Sequence, residues 1–212
     1  MRANFYQLSK TFNMRLSEIH HKYDTDKGTY HSYIDKYDEV FGPYKYENFN
    51  FLEIGCLTCG SIKMFNEFFA EAHIYGLDNW AQNTDHMGHM LANKGIDLEQ
   101  IKQDIDLNYP RVHLKTCDST NLDQVKSRLG DVRFKFIIDD GDHSRPAQLQ
   151  TFKNFLPYLE YKGTYIIEDV NEVYGLAQDI QSYLNANDIH KEVEIHGWYK
   201  GNRADDAILI IR

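Results

Sequence analysis

The sequence has 212 residues, which suits one domain with a substantial core, and carries a net charge of −9 from 32 acidic residues against 23 Lys and Arg. It has no basic stripe and no apolar run near the ~18 residues that span a bilayer, so neither nucleic acid nor a membrane is an expected partner; a cationic ligand suits the field better. Three cysteines make no disulfide framework, and Met1-Arg2-Ala3-Asn4-Phe5 lacks a secretory apolar core, so a reducing, cytoplasmic setting is expected.

Residues 5–21 place apolar side chains at Phe5, Leu8, Phe12, Leu16 and Ile19, the spacing of an amphipathic helix that covers a sheet edge or closes over a pocket. A polar stretch rich in Tyr and His follows, Lys22-Tyr23-Asp24-Thr25-Asp26-Lys27-Gly28-Thr29-Tyr30-His31-Ser32-Tyr33. Loops with so many hydrogen-bonding aromatics often face a ligand. The plainer reading is a capped helix start, with Tyr33, Tyr37, Val40 and Phe41 on the buried face of the next helix. Both readings hold together.

Asn50-Phe51-Leu52-Glu53-Ile54-Gly55 reads as the first strand and its turn. The loop Gly55-Cys56-Leu57-Thr58-Cys59-Gly60-Ser61 and a helix over 62–69 follow. Strand, glycine loop and helix form the nucleotide-binding unit, because glycines let the backbone approach a ligand closely. Cys56 and Cys59 make a CxxC with no second pair for zinc. Small residues in a tight loop is the main reading, and a redox pair the other.

The second strand, 73–77, ends at Asp78, 25 residues after Glu53. An acid there can accept hydrogen bonds from both ribose hydroxyls of an adenosine-bearing ligand. Residues 79–110 are long for one connection. They contain Trp80, His86-Met87, His89-Met90 and a helix over 98–105, and read as an insertion shaping the substrate side or an oligomer contact. A metal role for His86 and His89 lacks a third partner. The third strand, 112–116, leads into Cys117-Asp118-Ser119. Asp118 either bonds an adenine amino group or caps the helix over 122–129.

The fourth strand runs through Lys135-Phe136-Ile137-Ile138 into Asp139-Asp140-Gly141-Asp142-His143. After a helix over 147–159, the fifth runs through Thr164-Tyr165-Ile166-Ile167 into Glu168-Asp169. Parallel neighbours lie ~5 Å apart, so Asp140, Glu168 and Asp169 would crowd one corner of the carboxyl edge, where open parallel sheets bind ligands. Three close carboxylates repel unless protonated or joined by a cation, and oxygen ligands suit a hard ion such as Mg²⁺. Turn punctuation explains one acid run. Two matched runs beside His143 point to a site. Asp139 and Asp142 either orient His143 or cap the turn. A helix over 173–185 precedes two final strands, 192–196 and 207–211. Their linker carries Trp198, Tyr199, Lys200 and Arg203, and an antiparallel pairing would send it toward a site.

These pieces resemble the class I methyltransferases that use S-adenosylmethionine (SAM). More closely, they resemble the metal-dependent sugar O-methyltransferases of macrolide biosynthesis, the mycinamicin group, and sequences labelled cephalosporin hydroxylase. The resemblance spans residues 23–169. It rests on Thr25-Asp26-Lys27 with His31 and Tyr33, Glu53-x-Gly55 through Gly60-Ser61, Asp140-Gly141-x-His143, and Glu168-Asp169. With the strand–helix alternation it implies an α/β, Rossmann-like fold: a seven-stranded, mostly parallel sheet, helices on both faces, and an antiparallel last strand. The single domain would comprise a helical cap and substrate/SAM lid over 1–48 and a Rossmann-like core over 49–212.

The resemblance further implies SAM and Mg²⁺, or another hard divalent cation, as cofactors. Asp140, Glu168 and Asp169 would hold the metal, and His143 would be the catalytic base with Asp140 beside it. Glu53, Gly55, Gly60, Ser61, Asp78 and Asp118, with Thr25 and Lys27, would surround SAM. The acceptor would be a sugar hydroxyl of a small molecule, nucleotide sugar or glycan, with a homo-oligomer possible. Where the family loop has two adjacent glycines before the serine, Cys59 precedes Gly60 here, which either loosens SAM binding or only reshapes the turn. Competing readings are a catechol-like or other small-molecule acceptor and a non-catalytic SAM-binding module. A nicotinamide dehydrogenase lacks its G-x-G-x-x-G here, and a ferrous site would prefer two histidines with one carboxylate.

Overall fold

The computed structural model describes residues 14–80, 95–198 and 203–212. Phe5, Leu8 and Phe12 of the first expected helix, His86-Met87 and His89-Met90 of the insertion, and Tyr199 and Lys200 lie outside the described residues.

The first helix, α1 (Leu16–Ile19), buries Leu16 and Ile19 and tightens into a 3-10 turn at His20–Lys22. Its free N–H groups are met by a later residue: Asp38 accepts from the backbone of Leu16 at 2.6 Å and Ser17 at 3.1 Å. Asp38 belongs to α2 (Ile34–Phe41), which buries Ile34, Tyr37, Val40 and Phe41 on one face as the spacing predicts. Then follow β1 (Asn50–Ile54), α3 (Gly60–Phe68), β2 (His73–Asp78), α4 (Leu98–Asn108), β3 (Val112–Thr116) and α5 (Leu122–Leu129). The chain continues through β4 (Phe134–Asp139), α6 (Arg145–Phe155), β5 (Leu159–Ile167), α7 (Val173–Ala186), β6 (Val193–Gly197) and β7 (Ala207–Ile211).

The seven strands lie in the order β3-β2-β1-β4-β5-β7-β6. β7 runs antiparallel to β5 and β6, and the remaining pairs are parallel. The central strands are buried on both sides, as crossover helices require. Along β4, Phe136 and Ile138 enter one core with Phe41, Phe51 and Phe65, while Ile137 enters the other with Phe152, Phe155 and Tyr165. Register fixes what emerges at the carboxyl edge. Ile54 pairs with Asp139, and Asp139 with Ile167. The next residues of β1, β4 and β5 are therefore Gly55, Asp140 and Glu168, side by side.

One element departs from the sequence expectation. Leu156 and Leu159 extend the apolar spacing of α6, but the helix ends at Phe155, a 3-10 turn takes Leu156–Tyr158, and β5 begins at Leu159. Pro157 has no N–H to continue the α pattern. Glu160, Tyr161 and Lys162 are exposed opposite a register shift between Phe134 and Phe136. Among the described residues no helix is long and apolar enough to cross a membrane.

Candidate active site

At the carboxyl edge, Asp140, His143 and Asp169 each offer a ligand atom, all within 4.8 Å of one another. His143 Nε2 lies 3.3 Å from Asp140 Oδ1, and its Nδ1 lies 3.6 Å from Asp169 Oδ2. Burial works against a charged imidazole, but the Asp140 hydrogen bond and the charges of Asp169 and Asp140 outweigh it and lift His143 to about 9. Asp169 takes a left-handed φ of 53°, the kind of strain that collects at functional corners. Burial and the neighbouring Asp140 charge push its carboxyl up, opposed by a 2.7 Å hydrogen bond from the Tyr33 hydroxyl.

Glu168 is fully buried and turned away from that trio. Its Oε1 accepts from the Tyr37 hydroxyl and its Oε2 from Lys27 Nζ at 2.7 Å. Burial drives its pKa well above the carboxylate range, with Lys27 pulling the other way. Lys27 also donates to Asp140 Oδ2 at 2.6 Å. Burial alone would raise Asp140, but the Lys27 and His143 charges win and its pKa falls. Asp139 and Asp142 cap the turn. Asp139 accepts from Gly141 N at 3.3 Å and Tyr165 at 3.4 Å, and Asp142 from Ser144 N at 2.8 Å. Burial lifts Asp139 to about 7.

The glycine loop stands beside this corner. A Cβ on Gly55, at φ +85°, would meet the Asp140 carbonyl oxygen at 1.9 Å, and one on Gly60 would meet the Asp24 carbonyl oxygen at 1.8 Å. Those contacts bring the turn after β4 and the segment carrying Thr25 and Lys27 directly onto the loop. Thr25 is half-buried in that segment. Glu53 is buried at the end of β1 and accepts from Ser61 Oγ at 2.6 Å. Burial raises its pKa, with the nearby Lys27 charge opposing. Cys59 takes the left-handed φ of 59° that a glycine would favour, and both loop thiols are free and buried. Burial pushes Cys59 up to about 12 and Cys56 well above its usual range, so neither is a reactive thiolate.

Asp78 Oδ2 accepts from the backbone of Cys56 at 2.8 Å and Leu57 at 2.9 Å, and Oδ1 from Trp80 at 2.7 Å. Three of a carboxylate's roughly four acceptor sites are thus spent holding the loop. The Trp80 indole closes over the same loop and donates to the Leu57 carbonyl at 3.2 Å. Asp118 closes a local turn through Thr120 N at 2.9 Å, and Asn121, not Asp118, caps α5 by accepting from Gln124 N at 3.1 Å.

On the far side of Asp169 the β6–β7 linker meets the Tyr/His segment. The Arg203 guanidinium lies 3.3 Å from the centre of the Tyr30 ring, and its Nη2 lies 3.1 Å from His31 Nε2. His31 Nδ1 is 3.3 Å from Asp169, its ring stacks on Tyr33, and Tyr33 packs against Trp198. This side of the site is aromatic and rich in hydrogen-bonding groups. Sequence reasoning did not assign Tyr37 and Tyr33 as phenol donors to Glu168 and Asp169, the two buried acids that follow β5. The readable signal was the surplus of tyrosines in a stretch that must face those acids.

No protein-family model matches the chain. Over 167 residues it is 29% identical to mycinamicin VI 2''-O-methyltransferase of Micromonospora griseorubida, covering 75% of this chain and 37% of that protein. Demethylmacrocin O-methyltransferase of Streptomyces fradiae is also 29% identical, with the same coverage. The chain thus spans about 37% of the length of these curated relatives. Among solved structures, MycE methyltransferase from the mycinamycin biosynthetic pathway, in complex with Mg and SAH, gives a TM-score of 0.68. That match covers 94% of this chain and 55% of that one at 22% identity. The fold is that of the class I SAM-dependent methyltransferases. The chain's curated sequence relatives are sugar-modifying O-methyltransferases of the group its motifs resemble.

Proposed function

We propose that this chain is a SAM- and Mg²⁺-dependent O-methyltransferase acting on a sugar hydroxyl. The observation that carries the reading is the meeting of Asp140, His143 and Asp169 within 4.8 Å, beside a glycine loop whose Gly55 leaves no room for a side chain. The donor set fits a hard cation: clustered carboxylate oxygens whose mutual repulsion such an ion relieves. Asp140 and Asp169 would be the ligands most directly available, with Glu168 the third if it parts from Lys27.

SAM would supply an activated methyl on a sulfonium centre, and the cation would stabilise the charge developing on the acceptor oxygen. The chain's own residues do the rest. Asp140 keeps His143 Nε2 oriented, which leaves Nδ1, the more loosely held nitrogen, to receive the hydroxyl proton. The imidazole is kept protonated by Asp140 and Asp169. Once those carboxylates are shared with a cation, its pKa falls back toward the ordinary ~6.5 and it becomes a competent base. Gly55 and Gly60 let the turn after β4 and the 22–33 segment pack directly onto the loop that would face the nucleoside, Glu53 and Ser61 brace the loop from beneath, and Thr25 and Lys27 close it from the N-terminal side. Asp78 would exchange a backbone N–H for a ribose hydroxyl, and Asp118 would stand at the adenine end.

The Tyr30, His31, Arg203 and Trp198 group supports a polar, ring-shaped acceptor such as a glycoside, nucleotide sugar or glycan. The three free, buried thiols suit a reducing, cytoplasmic setting. Calorimetric titration with S-adenosylhomocysteine, in EDTA and in excess Mg²⁺ with a panel of glycosides, nucleotide sugars and catechols, tests the whole reading. Nucleoside binding with a Mg²⁺-dependent sugar ligand supports it, a catechol ligand redirects it, and no nucleoside binding removes it. His143→Ala is expected to keep both cofactors yet lose about 10²–10⁴-fold in turnover. Undiminished turnover removes His143 as the base.

A further inference from the structure

Lys27 is 1% exposed, in the middle of the acids delivered by three neighbouring strands. Its ammonium carries three donors. Asp140 Oδ2 accepts at 2.6 Å and Glu168 Oε2 at 2.7 Å, while Glu53 Oε1 lies 3.3 Å away. Glu53 Oε1 is buried and accepts no hydrogen bond among the described residues, although its partner oxygen is engaged by Ser61. Glu53 braces the glycine loop, whereas Asp140 and Glu168 belong to the acidic corner. One side chain therefore bridges the two halves of the site, and the Glu53 oxygen on the nucleoside side is ion-paired with it but accepts no hydrogen bond among the described residues.

The corner's own bonding says what must change when a cation enters. Asp140 divides its oxygens: Oδ1 faces His143 and Oδ2 faces Lys27. Glu168 has both oxygens taken, by Tyr37 and by Lys27. A cation drawing on Asp140, Glu168 and Asp169 must compete with the ammonium for Glu168. A buried ammonium cannot be left unpaired without a large penalty. Glu53 Oε1 supplies the alternative partner within a short displacement.

We infer that Lys27 is a tethered counter-ion of the acidic corner, a positioning residue that moves from Glu168 toward Glu53 when a divalent cation binds and thereby couples metal occupancy to nucleoside binding. The inference rests on the Mg²⁺ part of the proposed function. Without metal, Lys27 keeps two buried carboxylates, Glu53 and Glu168, and the partly buried Asp140 from repelling one another. With metal, it turns to the acid that supports the glycine loop. Because coupling between two sites is reciprocal, nucleoside binding would change metal affinity by the same factor.

The test follows the Lys27 Nζ signal of the ¹⁵N-lysine-labelled chain through a Mg²⁺ titration, alongside calorimetry with Mg²⁺ and with S-adenosylhomocysteine on the wild type and Lys27→Met. The Nζ signal is expected to shift in step with Mg²⁺ binding. Lys27→Met, lacking the competing charge, is expected to bind Mg²⁺ about tenfold tighter or more. Its melting temperature should depend on Mg²⁺ far more steeply than that of the wild type, and the effect of Mg²⁺ on nucleoside affinity should vanish. Should Lys27→Met fail to fold at all, the wild-type Nζ signal decides alone. A signal unmoved at Mg²⁺ saturation, or a variant that binds Mg²⁺ no tighter, overturns the role of Lys27 and leaves the methyltransferase reading standing. A wild type that binds no Mg²⁺ overturns both this role and the metal-dependent reading.

Discussion

The His143 side chain is 41% exposed, yet its proton is held by carboxylates on two sides. In the metal-free fold it titrates near 9, above its unfolded value of about 6.5. Its contribution to stability is therefore fully present below about pH 6.5 and lost as pH rises through 9. Asp139, raised to about 7 from an unfolded value near 3.9, acts in the same sense at lower pH, favouring the fold when protonated. In EDTA the melting temperature is expected to fall from pH 5 to pH 9, and His143→Asn to flatten the upper part of that slope. An unchanged slope in the variant would assign the pH dependence to other groups. Tyr37→Phe removes a donor from buried Glu168 and should cost about 1–3 kcal/mol in urea unfolding. A loss within about 0.5 kcal/mol, the scatter of ordinary surface substitutions, would mean Glu168 is satisfied by Lys27 alone. At this scale the acids were legible because they follow apolar strands. The neighbourhood of Lys27 was not, since its hydrogen-bond partners lie 113 and 141 residues away in sequence.

Strand β1, the glycine loop and α3 form the element on which nucleoside binding would depend under the proposed function. A methyl on Gly60 would strike the Asp24 carbonyl oxygen, which is backbone and has little freedom to yield. Gly60→Ala is expected to lift the 22–33 segment from the loop and to weaken nucleoside binding in calorimetry by tenfold or more, roughly the effect of losing one well-placed contact surface. Retained affinity would show that the segment is not part of that site. Cys59→Gly should behave oppositely. It relieves a left-handed residue costing about 1–2 kcal/mol, but gives up a buried thiol of similar worth. Stability is expected to stay within about 1 kcal/mol of the parent, with nucleoside affinity unchanged. Strand, loop and helix could be read from their punctuation. The end of α6 could not, because Leu156 and Leu159 continue a helical spacing while Pro157 removes the backbone donor that the spacing presumes.

The strand order brings the ends of β1, β4 and β5 together at the centre of the molecule, and that placement turns matched acid runs distant in sequence into one corner. With a net charge of −9 and acids concentrated there, a divalent cation that binds only the folded chain should stabilise it throughout. At 100 times its dissociation constant, Mg²⁺ is expected to add about 2.7 kcal/mol to unfolding, read as a rise in the urea midpoint over EDTA. No rise at any Mg²⁺ concentration would exclude a specific site. The parallel core and its helices were legible from alternating patterns. The polar bonding of Asp78 to its own loop was not, because backbone donors leave no mark on residue type.

β7 lies between β5 and β6, with all five of its residues buried. β6 precedes it in the chain, yet among the described residues it joins the sheet only through β7. A nascent chain leaving the ribosome cannot pair β6 into the sheet as soon as it is made. That strand must wait, with its edge unpaired, until Ala207–Ile211 arrive and slide in beside β5. The pairing of β6 is thus set by a strand made after it, and until that strand arrives the growing chain carries an open edge of the kind that invites pairing with another chain.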